Sequence, residues 1–453
     1  MTLTVLEPAT ARSLAEIPEA TPEDVDRAVE RARAAFPAWS AVAPSDRARL
    51  LLRLADAIEA ELEPLALLEA RNAGHPLASA RGEIGMVAAT FRYYAGGVER
   101  NLGDTIPVAG GVAMTFREPL GVVGLITPWN FPLPIASWKL APALAAGNCA
   151  ILKPAELTPL TAVELERIAL EAGIPEGVLQ VLGGPGRTVG QRMVEHPGIA
   201  KIGFTGSTAV GAGIQRTAAD TIKRVTLELG GKSANVVFAD ADLEAAAASA
   251  PGAVFDNAGQ DCCARSRILV QRSAVDRFLE LLEPAVQGFT VGDPLQDGVA
   301  MGPLISAAHR EKVASFVDDD AQVAFRGSAP EGEGFWFPPT VLAPVDPSAR
   351  AATEEIFGPV VAVIPFDDEA DAIRLANDSI YGLSGSVWTE NGGRALRVAR
   401  AIETGVISIN SNSSVRVSTP FGGFKQSGVG RELGPHALEA YSELKTVYYA
   451  TGA

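Results

Sequence analysis

Two of the chain's three cysteines stand side by side in GQDCCARS, residues 259–266. Either one is a nucleophile, or both are small apolar residues in a core, as free cysteines commonly are. Two other stretches offer a different chemistry, the holding of a dinucleotide. In FTGSTAVG, residues 204–211, Gly206 permits close backbone approach, and Ser207 with the amides of the helix it opens suits a pyrophosphate. In ILKPAELTP, Lys153 and Glu156 lie at a strand's C-terminal end, placed for the two hydroxyls of a ribose. A carboxylate there repels an added phosphate and favours NAD over NADP, without excluding NADP. A third stretch, GGPGRTVG, carries Gly184, Gly186 and Gly190 close to the G-x-G-x-x-G spacing but not on it. Each motif also has a plainer reading, a capped helix or an exposed ion pair at a helix start.

The elements that must position these residues are legible in outline. The opening reads as helical: Thr21 can cap, Pro22 fits the first turn, and Val25, Val29, Ala32 and Phe36 recur at helical spacing. A second helix follows from Ser45, with Leu51, Leu54, Ile58 and Leu62 on one stripe. From Gly121 short β-branched runs alternate with helical stretches: GVVGLIT, CAILK, VLQVLG, AKIGFTG, VTLEL and ANVVF, with helices opening near Thr158, Gly186 and Ser207. That rhythm is the signature of a mostly parallel sheet covered by helices. It resumes in RILVQ, VVAVIPF, LSGSVW and VISIN, which predicts a second α/β domain. TIPVAGGVAMTF reads as a hairpin, and SELKTVYY as a final, paired strand.

Composition bounds the function. The 453 residues exceed what one core organises, so two large domains are expected. A formal charge of −16 opposes nucleic acid and anionic membrane surfaces, both of which need a positive field. Three cysteines make no closed disulfide framework, which favours reduced thiols and a cytoplasmic setting. The first residues, MTLTVLEPATARS, lack the basic and apolar regions of a secretory signal. The uncharged run 119–138 is interrupted by Pro119, Pro128, Pro132 and Pro134, and no lipid-exposed helix accepts that.

ITPWNFPLP, ILKPAELTP, FTGSTAVG, LELGGKS, GQDCCARS, EEIFGPV and PFGGFKQSG occur in this order, and together they resemble the aldehyde dehydrogenase superfamily over essentially the whole chain. The resemblance implies an α/β fold with three parts. A Rossmann-like coenzyme domain takes 1–100 and 119–229, an α/β catalytic domain 230–439, and a small β oligomerisation arm 101–118 with 440–453. It further implies a homodimer or homotetramer. It makes Cys262 the nucleophile, with Cys149 a core thiol, and expects a positive potential, from a helix N-terminus or the nicotinamide cation, to lower the Cys262 pKa. Asn130 and the backbone N–H of Cys262 become the oxyanion donors, with Pro128 and Pro132 stiffening the loop. Glu228 becomes the general base that activates the hydrolytic water, and Lys139 with Glu432 a proton exit route. The cofactor residues implied are Thr127, Trp129, Lys153, Glu156, Gly186, Phe204, Gly206, Ser207, Glu355 and Phe357. The substrate pocket implied is Phe131, Ile135, Trp138, Asp261, Cys263, Ser411, Ser413, Val415 and Phe421. No metal is called for.

This chain departs from the family pattern in two places. A strand pair that usually precedes the first helix is expected to be missing, roughly twenty-five residues in all. Arg265 stands where a glycine is usual. The form NAGQDC is similar to that of enzymes acting on ω-aminoaldehydes, and Glu99 could greet an ammonium, while Arg416 would repel one if it faced inward. The substrate is therefore read as an ω-amino or aliphatic aldehyde. The rivals are a CoA-acylating enzyme, which would lack the base glutamate, and a silent scaffold, which would have no need of Cys262, Glu228 and Asn130 together.

Overall fold

The computed structural model describes residues 2–317, 321–413 and 415–451. It opens on a hairpin, Thr2–Glu7 against Arg12–Pro18, which corrects the expectation of a helical start and of a missing strand pair. The signal was faint for a physical reason. Val5 is the strand's one buried residue, and the turn places Ala11 at a φ of 57° where a glycine would have announced it. The first helix, Pro22–Ser40, is capped as expected. Thr21 accepts from the Asp24 amide, and the Asp24 carboxylate returns a bond to the Thr21 amide at 2.8 Å. The next helix, Pro44–Ala60, buries Leu51, Leu54 and Ile58, but Leu62 begins a separate helix, Leu62–Ala73.

Two sheets carry the site. In the first, strand order is Gly428–Val429, Arg224–Glu228, Lys201–Thr205, Val122–Ile126, Cys149–Lys153, Leu179–Val181, parallel except for the two-residue edge. Its central strands Val122–Ile126, Cys149–Lys153 and Lys201–Thr205 are buried along their whole length, as a parallel sheet covered on both faces requires. Near Gly186 the chain forms one wide turn, Gly186–Gly190, and then a five-residue helix, Gln191–Glu195, rather than a full helix.

The second sheet runs Val323–Arg326, Thr340–Leu342, Val360–Phe366, Arg267–Gln271, Ala234–Val237, Ser384–Trp388, Val406–Ile409, again parallel except at its first edge. A three-stranded antiparallel arm joins Ser442–Ala450, Gly111–Pro119 and Thr105–Val108, so the hairpin and the terminal strand pair as expected. Among the described residues no helix is long and apolar enough to cross a membrane. All three cysteines are free.

Candidate active site

The first sheet's strands end at Ile126, Lys153, Thr205 and Glu228, and the turns beyond Ile126, Thr205 and Glu228 line one cleft. Ligands of open parallel sheets gather at this carboxyl edge. The cleft's far wall comes from the second sheet's side: Cys262, Glu355, Phe357, His309 and Lys312.

Cys262 sits on a strained turn. Asn257, Ala258 and Gly259 all hold positive φ, 49°, 55° and 69°. Two consecutive non-glycine residues in this region cost energy that surrounding contacts must supply. Those contacts centre on Gln260, which is fully buried: its side chain donates to Asn257 O at 3.0 Å and accepts from the Ile305 amide at 2.8 Å. Its carbonyl accepts from Asn130 Nδ2 at 2.9 Å, while Asn257 Nδ2 donates to Asn130 O at 2.7 Å. Asn130 therefore has its amide plane fixed by one N–H and keeps the second for a ligand. Among the described residues no protein acceptor takes the Cys262 N–H.

Cys262 is half-buried between the cleft and an apolar cluster of Ile135, Trp138, Cys263, Leu383, Phe421 and Leu433, with Phe131 and Val415 packed against it. Six expected pocket residues thus assemble: Phe131, Ile135, Trp138, Cys263, Val415 and Phe421. Leu383 and Leu433 were missed, since nothing but their place in three dimensions marks them. Asp261 holds the Cys263 amide at 2.9 Å. Ser411 is half-buried and accepts from the Ser413 amide; Ser413, Glu99 and Arg416 are exposed.

The protein surroundings push the Cys262 thiol well above its ordinary value, through Cys263 first, then burial, Asp261 and Glu355. None of these neighbours is a cation.

Glu228 is 2 % exposed and neither carboxylate oxygen has a hydrogen-bond partner among the described residues. Burial, then Glu432, raises its pKa well above the usual range, while Lys139 and Arg431 oppose that. Gly422, at a φ of 150°, lies against it: a Cβ there would stand 2.7 Å from Oε1. Lys139 and Glu432 form a buried ion pair, and Lys139 Nζ also donates to Thr205 Oγ1 at 2.7 Å. Glu432 is brought in by its backbone bridge to Phe421.

At the end of its strand, Lys153 Nζ donates to Pro154 O at 2.9 Å, leaving ammonium hydrogens for a diol, and Glu156 accepts the Gly186 amide at 2.5 Å. Thr127 is buried beside them, its amide bonded to Lys153 O at 3.1 Å. Ser207 caps the helix Thr208–Ala219, accepting from the Val210 amide. Gly206 has no room for a side chain, since a Cβ would meet the Phe204 ring at 2.5 Å. Glu355 accepts the Gly231 amide at 2.9 Å. Phe357, at a φ of 60°, meets Trp129 edge-on at 5.2 Å between ring centres. His309 and Lys312, on the helix Ala307–Ala314, were not anticipated. No recognisable motif surrounds them.

The fold and site define an enzyme with a thiol set between a cleft at the sheet's carboxyl edge and an apolar pocket, and with a buried carboxylate at the end of a strand of that sheet. The aldehyde dehydrogenase family model matches residues 1–447. An aldehyde dehydrogenase of Emericella nidulans is 43% identical, over 100% of this chain and 92% of that protein. The NADP/NAD-dependent aldehyde dehydrogenase PuuC of Escherichia coli is also 43% identical, over 100% and 93%. The crystal structure of betaine aldehyde dehydrogenase from Staphylococcus aureus with NAD+ superposes with a TM-score of 0.97 at 38% identity, covering 100% of this chain and 92% of that one. The chain belongs to the aldehyde dehydrogenase family.

Proposed function

We propose that this enzyme oxidises an aliphatic or ω-amino aldehyde to its carboxylic acid with NAD, through a thioester on Cys262. The observation that carries the reading is the placement of Cys262, between the cleft that Lys153, Ser207 and Glu355 line or adjoin and the cluster around Trp138 and Phe421. The cleft's donor set fits a dinucleotide: a lysine and a carboxylate for one ribose, a capped helix start for the pyrophosphate, Glu355 for the second ribose. Bound nicotinamide supplies the hydride acceptor.

Cys262, its thiol proton given up to solvent, attacks the carbonyl carbon as the thiolate, forming a C–S bond and placing negative charge on oxygen. The free N–H of Asn130 and the amide of Cys262 receive that charge. Loss of hydride from the carbon leaves a thioester. Glu228, once ionised, takes a proton from water as its oxygen attacks the thioester carbon; the C–S bond breaks, and the acid and the Cys262 thiolate are released. Lys139 and Glu432 lead the Glu228 proton away.

The apolar walls favour an alkyl body on the substrate. Glu228 favours water over CoA as acceptor. We assign the coenzyme domain to 1–100 and 119–229, the catalytic domain to 230–439, and the arm to 101–118 and 440–453. Leu444, Val447, Tyr448 and Tyr449 are exposed on the terminal strand and support a homodimer or homotetramer joined through it. The free thiols support a cytoplasmic setting. The test is cofactor reduction over a panel of aldehydes without CoA, including aminobutyraldehyde and a neutral aldehyde of equal length. Free acid is expected as product. Equal specificity constants for that pair would remove the ω-amino assignment, and acyl-CoA dependence would overturn the hydrolytic one.

A further inference from the structure

We propose that Arg265 is a positioning residue: a fixed buried cation that holds the nucleophile turn and opposes the acidic neighbours of Cys262. The proposal rests on the reading of Cys262 as nucleophile.

Arg265 is 1 % exposed, one of the largest fully buried side chains in the protein. Its guanidinium spans three segments. Nη1 donates to Cys263 O at 2.5 Å, Nε to Ser386 Oγ at 2.8 Å on the strand Ser384–Trp388, and Nη2 reaches Asn412 O at 3.5 Å. Its own amide bonds Ala253 O at 2.9 Å, anchoring the turn to the helix Leu243–Phe255. A planar fork of donors suits this task, and a guanidinium keeps its charge where an ammonium would surrender it.

A charge so placed does more than tie segments together. Burial lowers the Arg265 pKa, and Cys263, Asp261 and Cys262 act back on it in that order. The groups facing Cys262 are Asp261 and Cys263 on its own turn, Glu355 on the next segment of the cleft wall and Lys312 on the helix Ala307–Ala314. The carboxylates disfavour a thiolate. Lys312 is exposed and therefore screened by salt, whereas a buried charge is screened little. Arg265 is thus the cation that acts on the thiol through the protein interior. A glycine at this position would supply neither the charge nor the fork.

The experiment is alkylation of Cys262 by iodoacetamide, an uncharged reagent, across pH without cofactor, followed on the Cys262 peptide by mass spectrometry. R265Q keeps hydrogen-bond donors and loses the charge. It is expected to react roughly tenfold more slowly near neutral pH, as a one-unit rise in thiol pKa dictates. Equal rates in a folded R265Q would overturn the proposal.

If R265Q does not fold, the parent still decides. A pH profile unmoved between low and high salt supports the buried cation, and one that shifts strongly assigns the effect to Lys312. If alkylation of the parent's Cys262 leaves activity intact, the nucleophile reading itself fails, independently of Arg265.

Discussion

The side chain of Asn130 donates to the carbonyl oxygen of Gln260 at 2.9 Å, so the loop bearing the oxyanion donor is tied to the turn bearing the nucleophile. The tie runs both ways, because Asn257 from that turn bonds the Asn130 carbonyl. Replacing Asn130 by alanine removes the donor and its bond to Gln260, and leaves the bond from Asn257 to the carbonyl of residue 130. N130A should lose roughly 10²–10³-fold in kcat, the usual effect of one oxyanion donor. Steady-state kinetics check it. A change confined to KM would mean that Asn130 only binds substrate.

Glu228 is a buried acid without a partner among the described residues. Its raised pKa means that the hydrolytic limb of the pH–rate profile rises with pH as the carboxyl ionises. The same shift bears on stability. The folded form prefers the neutral acid; that preference is fully present below the unfolded value of 4.5 and is lost as pH rises through the raised folded value. E228Q, permanently neutral, should therefore melt at a higher temperature than the parent above that window while losing turnover. Thermal melts at acid and alkaline pH test this. A lower melting temperature throughout would contradict it.

The Lys139–Glu432 pair offers two opposed shifts. Glu432 raises the Glu228 pKa and Lys139 lowers it, so E432Q should move the rising limb to lower pH and K139M to higher pH. Each variant also strands a buried charge, at a cost of about 3–5 kcal/mol in stability. Limbs that move in the same direction would break the link to Glu228.

Glu156 sets the cofactor preference in this account. E156Q keeps an acceptor for the Gly186 amide and loses the charge that repels a 2′-phosphate. Its kcat/KM for NADP relative to NAD should rise roughly tenfold, about 1.4 kcal/mol. An unchanged ratio would place discrimination elsewhere.

Much of this was readable in the chain because the chemistry is carried by local motifs. Strands ending in Lys153, Thr205 and Glu228 announce both the sheet and the groups at its edge. What failed was non-local. The strands of the opening hairpin bury one side chain, Val5, and the turn between them uses Ala11 rather than glycine. Leu383, Leu433, His309 and Lys312 reach the site only through tertiary packing. The neighbours that raise the Cys262 pKa are also set by the fold: Glu355 lies far away in sequence, and Asp261 is itself raised by burial.

The central claim is a thioester on Cys262 that Glu228 resolves with water. The most direct measurement is intact and peptide mass spectrometry of E228Q mixed with aldehyde and NAD, without CoA. The account predicts NADH formed once per site and an adduct on Cys262 equal to the aldehyde less two hydrogens. NADH formation with no adduct, or with the adduct on Cys263, would contradict it.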